Sequence, residues 1–109
     1  MQKTYAMAEV RWPVELDKAF RSGRFCTPAH FESDAQNDWS LYVWFDRPVN
    51  PGDTITVPVT PLISEAAGRL LQPGAEFQLF LKPNLYALGR VITVSEASED
   101  DLRCVFHFC

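Results

Sequence analysis

A chain of 109 residues makes one domain, long enough for a real core and too short for two. With 47% apolar and 13% aromatic residues, its composition is that of a folded protein rather than a disordered one. A formal net charge of -4 argues against non-specific attraction to phosphate backbones or anionic membranes, and no apolar run approaches the length of a membrane span. The first six residues, Met1 to Ala6, carry a charge with no long apolar core behind them, and do not read as a secretory signal. The 3 Cys are far apart, at 26, 104 and 109. Free thiols in a cytoplasmic protein are the simpler reading, and the spacing leaves a bond open.

In chain order, residues 5–12 alternate, with Ala6, Ala8, Val10 and Trp12 on one face, and predict a first strand stopped by Pro13. Residues 13–24 predict a long loop with a helical turn around Leu16 to Phe20. Phe25 to Phe31 predicts a short strand interrupted by Pro28, and Glu32 to Asp38 an acidic loop. Leu41, Val43 and Phe45 alternate with Tyr42 and Trp44, so both faces are apolar and the strand reads as central. The turn Asn50-Pro51-Gly52-Asp53 then opens a strand over Thr54 to Thr60, with Ile55, Val57 and Val59 inward and the threonines and Pro58 outward. Pro58 lacks a ladder donor, which puts that part of the strand at an edge or beside a bulge.

Ser64 to Leu71 predicts two helical turns with Ser64 as N-cap and Ala67 and Leu70 or Leu71 facing inward. Gln72-Pro73-Gly74 turns the chain into a strand over Glu76 to Leu81, and Lys82-Pro83-Asn84 into one over Tyr86 to Val94. Ser95 to Asp101 reads as an acidic loop, and Leu102 to Phe108 as a last strand. The expected core is Val10, Val43, Ile55, Val57, Phe77, Leu79 and one of the adjacent pair Val91 and Ile92. Gly52 and Gly74 are expected in turns, at least one with positive φ. The fold class is all-β: a six- or seven-stranded antiparallel closed barrel with Greek-key-like connections.

The stretch from Pro48 to Val94 resembles the third, C-terminal β-barrel domain of elongation factor Tu and related translation GTPases. Three segments carry the likeness: Asn50-Pro51-Gly52-Asp53-Thr54-Ile55-Thr56-Val57, Arg69-Leu70-Leu71-Gln72-Pro73-Gly74-Ala75-Glu76-Phe77-Gln78-Leu79, and Leu88-Gly89-Arg90-Val91-Ile92-Thr93-Val94. That family has a Met-Pro-Gly-Asp turn, a Leu-Arg-Pro-Gly-like turn and a Gly-x-Gly-Val-Val-Thr-like strand in this order. Ala8-Glu9-Val10 resembles its first strand. Ser22-Gly23-Arg24 to Phe31 stands where the family has a Gly-Tyr-Arg-Pro-Gln-Phe loop close to transfer RNA and the GTPase domain. Here that loop is altered, Pro83 to Ala87 replace the Gly-Gly-Arg-Thr-Val hairpin tip, and the family has no counterpart to Leu102 to Cys109. No phosphate-binding loop occurs in the sequence, so GTP binding is not expected.

Cys26 with His30, and Cys104, His107 and Cys109, are the candidate metal ligands, but the tight Cys-x-x-Cys pairs of zinc sites are missing. Neither a metal nor another cofactor is expected, and no catalytic residue is assigned. Arg11, Lys18, Arg21 and Arg24 lie near Trp12, Phe20 and Phe25, a mixture that suits single-stranded nucleic acid. Glu96, Glu99, Asp100 and Asp101 read as a solvated loop. Trp39, Tyr42, Trp44 and Phe45 crowd one strand, so that some face outward unless covered.

The reading is a non-enzymatic, cytoplasmic binding module. It is a free-standing relative of the translation-factor barrel that docks to a protein partner, with no membrane association. The expected contact residues are Arg21, Arg24, Phe25, His30, Phe31 and Trp44. RNA binding near the translation machinery is the second reading, and a thiol- or zinc-dependent enzyme the third.

Overall fold

The computed structural model describes the backbone of residues 2–15, 23–34, 36–45, 47–62, 67–82, 85–98 and 100–102. It contains six strands: β1 (Gln2–Arg11), β2 (Gly23–Phe31), β3 (Asp38–Phe45), β4 (Thr54–Pro61), β5 (Glu76–Lys82) and β6 (Leu85–Ser98). They close into a barrel in the order β1-β4-β3-β2-β5-β6, and every neighbouring pair is antiparallel. β2, β3 and β4 are neighbours in sequence order and β1 returns beside β4, which is the Greek key. Followed once round the barrel, the register returns displaced by roughly ten residues, the stagger that tilts strands in a closed sheet.

A six-stranded barrel is narrow, so its interior needs small residues facing large ones. β1 contributes Ala6, Ala8 and Val10, and β6 contributes Ala87 and Gly89; across from them stand Phe31, Leu41, Phe77 and Leu79, all buried. Phe77 pairs directly with Gly89, and its ring fills the space a Cβ on Gly89 would take. The same ring packs on Phe31 with centroids 5.2 Å apart. Just past the end of β1, Trp12 meets Phe45 edge-on at 6.0 Å. All the expected core residues lie in this interior except Ile55, which is half-buried against it, and Ile92, which faces out.

The two Pro-Gly turns share one geometry. Asp53 N–H donates to Asn50 O at 3.0 Å and Ala75 N–H to Gln72 O at 2.9 Å. Gly52 and Gly74 hold φ of 83° and 88° at the third turn position, behind a proline at the second, as a type II turn requires. No atom lies within 4 Å of a Cβ built on Gly74. Gly74→Ala therefore isolates the backbone cost and should lower stability by about 1 kcal/mol, read as a shift of the urea midpoint at unchanged slope.

Several elements differ from expectation. β2 is a regular strand from Gly23, not a broken piece within a long irregular segment. Pro28 stands one residue beyond the β2–β5 ladder, which spans Ala29 to Phe31. Pro58 likewise stands one residue beyond the β3–β4 ladder, which ends at Val59, so the expected edge position holds. Pro58 and Thr60 are nonetheless buried, with the Thr60 hydroxyl donating to Thr4 O at 2.8 Å. β6 continues through the expected acidic loop to Ser98, because Ser95 to Ser98 pair with Tyr5 to Gln2 at the start of β1.

Between Met7 and Ala8 the register slips, and Ile92 is left unpaired and 43% exposed. This bulge keeps both Val91 and Val94 opposite inward alanines of β1. The start of the helix expected from Ser64 lies outside the described residues; its described end is Ala67 followed by a 3-10 helix, Gly68–Leu70, in which Ala67 makes no side-chain cap bond. Ala67, Leu70 and Leu71 are buried as expected, and Ser64 lies outside the described residues. Leu102 is buried in a helical turn rather than a strand, and 103–108 lie outside the described residues.

Candidate functional site

The sequence-selected residues fall on and around the β2–β3 pair. Register places Arg24 opposite Trp44, Cys26 opposite Tyr42, Pro28 opposite Ser40 and His30 opposite Asp38. Strand alternation sends Cys26, Pro28 and His30 of β2 and Ser40, Tyr42 and Trp44 of β3 outward, because Thr27, Ala29, Leu41, Val43 and Phe45 between them are buried. Cys26 and Pro28 are exposed, and Tyr42 and Trp44 are half-buried. His30 is half-buried, and its Nδ1 lies 2.9 Å from Asp38 Oδ1. Phe31 corrects the expectation: it is 1% exposed and belongs to the core, since the alternation of β2 points it inward onto Phe77. Phe25 stands opposite Val43 in register. Arg21 lies outside the described residues.

The loop joining the two strands is organised by Asp34. Its carboxylate accepts the Trp39 indole N–H at 2.9 Å and the Asn37 amide at 3.1 Å, and Arg69 approaches to 3.8 Å. The indole bond first, then the amide, hold Asp34 below the ordinary carboxylate range. A depressed carboxylate stabilises the fold above its unfolded value, and that contribution is lost as pH falls through the folded one. Asp34→Asn should therefore cost stability at neutral pH, with the gap to the parent closing below about pH 4. Thermal midpoints measured across that range check this.

A second feature adjoins the first at His30. It is an open groove of about 610 Å³ across the outer faces of β1, β6, β5 and β2. Two registered rows cross it. Glu9 faces Arg90 and Arg90 faces Glu76; Arg11 faces Leu88, Leu88 faces Gln78, and Gln78 faces His30. Glu32 N–H donates to Glu76 O at 3.1 Å, which brings a third carboxylate to the β2 side. Among the described residues no carboxylate oxygen lies within 4.0 Å of the Arg11 or Arg90 guanidinium, although Glu9 and Glu76 both flank Arg90. Leu88 is 47% exposed between the rows.

Cys26 and His30 do not form a nucleophile–base pair in this arrangement. Although Cys26 is exposed, the part of it that the strand covers is desolvated, which pushes its thiol up, away from the reactive thiolate. Cys26 and His30 share a face of β2 four residues apart, roughly 13 Å along an extended strand, too far for proton transfer. Among the described residues no three His, Cys, Asp or Glu side chains gather as metal ligands, and Cys104, His107 and Cys109 lie outside them. Nor, among the described residues, is any helix long and apolar enough to cross a membrane. No protein-family model matches the chain, and no curated protein matches it.

The groove escaped the sequence reading. Arg11 and His30 enter that reading for other reasons, and Glu9, Glu76 and Arg90 each follow or precede a core residue and look like ordinary solvated positions. Only the pairing of strands distant in sequence puts them in rows.

Proposed function

We propose that this chain is a non-enzymatic, cytoplasmic binding module that docks a protein partner on the outer face of β2 and β3. The observation that carries this reading is the makeup of that face. Tyr42, Trp44, Pro28 and exposed Cys26 occupy outward positions where a solvated strand would carry charges. Aromatic and Arg side chains dominate protein interfaces, and a closed barrel presents them on a rigid ladder. Relationship to the translation-factor barrel remains part of this proposal. It rests on the three sequence segments and on a fold of the kind that the resemblance implies. The RNA reading draws no support from Arg11, which stands among Glu9, Glu32 and Glu76.

The register pair Arg24 and Trp44 supplies the test. Arg24→Ala with Trp44→Ala should reduce partner capture from native cell extract at least about tenfold, the scale of an interface hot spot. The thermal midpoint should stay within a few degrees of the parent, because Trp44 belongs to the outward set of β3 and lies outside the buried core. A folded double variant that still captures the partner would place the interface elsewhere.

A further inference from the structure

β2 meets its neighbour β5 over only three register pairs, Ala29 to Phe31 against Leu79 to Phe77. Just past that ladder the Glu32 N–H donates to Glu76 O, so the main-chain groups of the even-numbered residues on β2 point toward β5. His30 turns them to Gln78. Pro28 comes next, and a proline has no N–H to give. The Thr27 hydroxyl stands in for it and donates to Phe80 O. Beyond Pro28 the pairing does not resume. β5 breaks register with β6 between Phe80 and Lys82, while β2 stays in register with β3 as far as Gly23. Cys26 and Arg24 therefore each turn an N–H and a C=O toward a flank on which, among the described residues, no strand is in register with them. Cys26 is also exposed.

We propose that an extended segment of the partner protein adds as a further strand along this stretch of β2, from Gly23 to Thr27. The inference rests on reading the chain as a module that docks a protein partner at β2 and β3, and it names the form of that partner. Main-chain groups choose the occupant. On a strand edge donors and acceptors recur about every 7 Å, and another extended chain matches both. A phosphate backbone offers acceptors only and would leave the Arg24 and Cys26 carbonyls unmet. With Pro28 at one end and Gly23 at the other, about five residues fit. That length suits a peptide segment and falls short of the long, flat edge that joins whole sheets. On the β5 side Phe80 and Tyr86 alternate with buried residues and face outward, packed edge to face at 5.1 Å. Tyr86 is 38% exposed. An apolar side chain on the outer face of the added segment, at its Pro28 end, covers that pair.

The probe is an array of N-acetylated, C-amidated eight-residue peptides in which Val, Ile or Phe alternates with Thr, titrated against the full chain by calorimetry. Saturable binding is expected from part of the array. N-methylating every second residue removes the donors along one edge of a bound strand and spares the other edge. One set of positions should weaken binding at least about tenfold, the loss from a main-chain group left unmet, and the alternate set should leave it unchanged. In the free chain the Cys26 amide should exchange with deuterium at least about a hundredfold faster than the Thr27 and Ala29 amides, which β3 holds. Cys26→Pro deletes the N–H on the β5 flank and spares the β2–β3 ladder, as Pro28 does two residues on. It should weaken peptide binding at least about tenfold, with the thermal midpoint within a few degrees of the parent. Cys26→Ser, which keeps the main chain, should bind as the parent does.

A Cys26 amide as protected in the free chain as that of Thr27 would overturn the proposal, because the edge would then be covered from within the chain. So would an array with no peptide sensitive to one-sided N-methylation, or a folded Cys26→Pro variant that binds like the parent. The N-methyl series uses the unaltered chain, so it decides even where the proline variant does not fold. Partner capture that Arg24→Ala with Trp44→Ala abolishes and Cys26→Pro leaves intact would overturn the edge and keep the face of β2 and β3. The converse pattern would keep the edge and overturn the face.

Discussion

Phe77→Ala should lower stability by about 3–5 kcal/mol, the range for deleting a buried aromatic side chain. The residue is 2% exposed, packs on Phe31, and roofs Gly89 on the neighbouring strand. No side chain at position 89 can lean into the space vacated, and the barrel wall on either side is hydrogen-bonded in register. The cavity therefore collapses little, which places the expected cost toward the upper part of the range. Small domains have only about 5–15 kcal/mol in total, so the variant should sit near its unfolding threshold at room temperature. Urea titration followed by tryptophan fluorescence gives the number. A loss below about 1 kcal/mol would mean that the ring does not fill the interior as described.

Gly89→Ala should be the second most damaging substitution for its size. An added methyl would overlap three atoms of the Phe77 ring, two of them severely. The clash is with the far end of a side chain, and such clashes are cheap where the side chain can swing away. Phe77 cannot, because Phe31 bounds it at 5.2 Å and solvent is closed to it. An overpacking cost of about 1–3 kcal/mol follows. The informative experiment is the double variant. In the Phe77→Ala background the methyl enters the vacated space, so Gly89→Ala should become neutral or stabilising. The two single effects then fail to add by more than about 1 kcal/mol. Additive losses would show that Gly89 is required for its backbone rather than for the ring above it.

Much of the fold was readable because the interior imposes strict alternation. β1 shows Ala6, Ala8 and Val10 at every second position, and β5 shows Phe77 and Leu79, all buried. The Pro-Gly pairs marked the turns because a positive φ needs glycine. What sequence concealed has identifiable causes. β2 carries Cys26, Pro28 and His30 on its outward set, so its buried Thr27, Ala29 and Phe31 were too modest a pattern to outweigh the proline. The far end of β6 is polar, and its strand character comes from pairing with residues ninety or more positions earlier. Val91 and Ile92 broke the alternation because a bulge sits there, and a bulge has no composition of its own.

The site divides in the same way. Aromatic crowding on β3 was visible as an excess of large side chains on one strand. Phe31 was misplaced because its partner Phe77 lies on β5, and nothing local distinguishes an inward from an outward aromatic on a strand so mixed in composition. The groove was invisible for a stronger reason. A Glu–Arg–Glu row assembled from positions 9, 90 and 76 exists only when strands from both ends of the chain lie side by side.

That arrangement also governs how the molecule comes into being. β1 is bordered on one flank by β4 and on the other by β6, so the first strand of the barrel to be made acquires its second neighbour last. Gln2 waits for Ser98. An emerging chain can form the β2–β3 pair from nearby residues and then lay β4 against it. It cannot shut the cylinder until β6 has been made. Until then the alanines of β1 lack the strand that completes their cover, and long-range pairings of this kind make folding slow. A ribosome-tethered fragment ending before β6 is thus an open, sticky sheet rather than a smaller version of the finished protein.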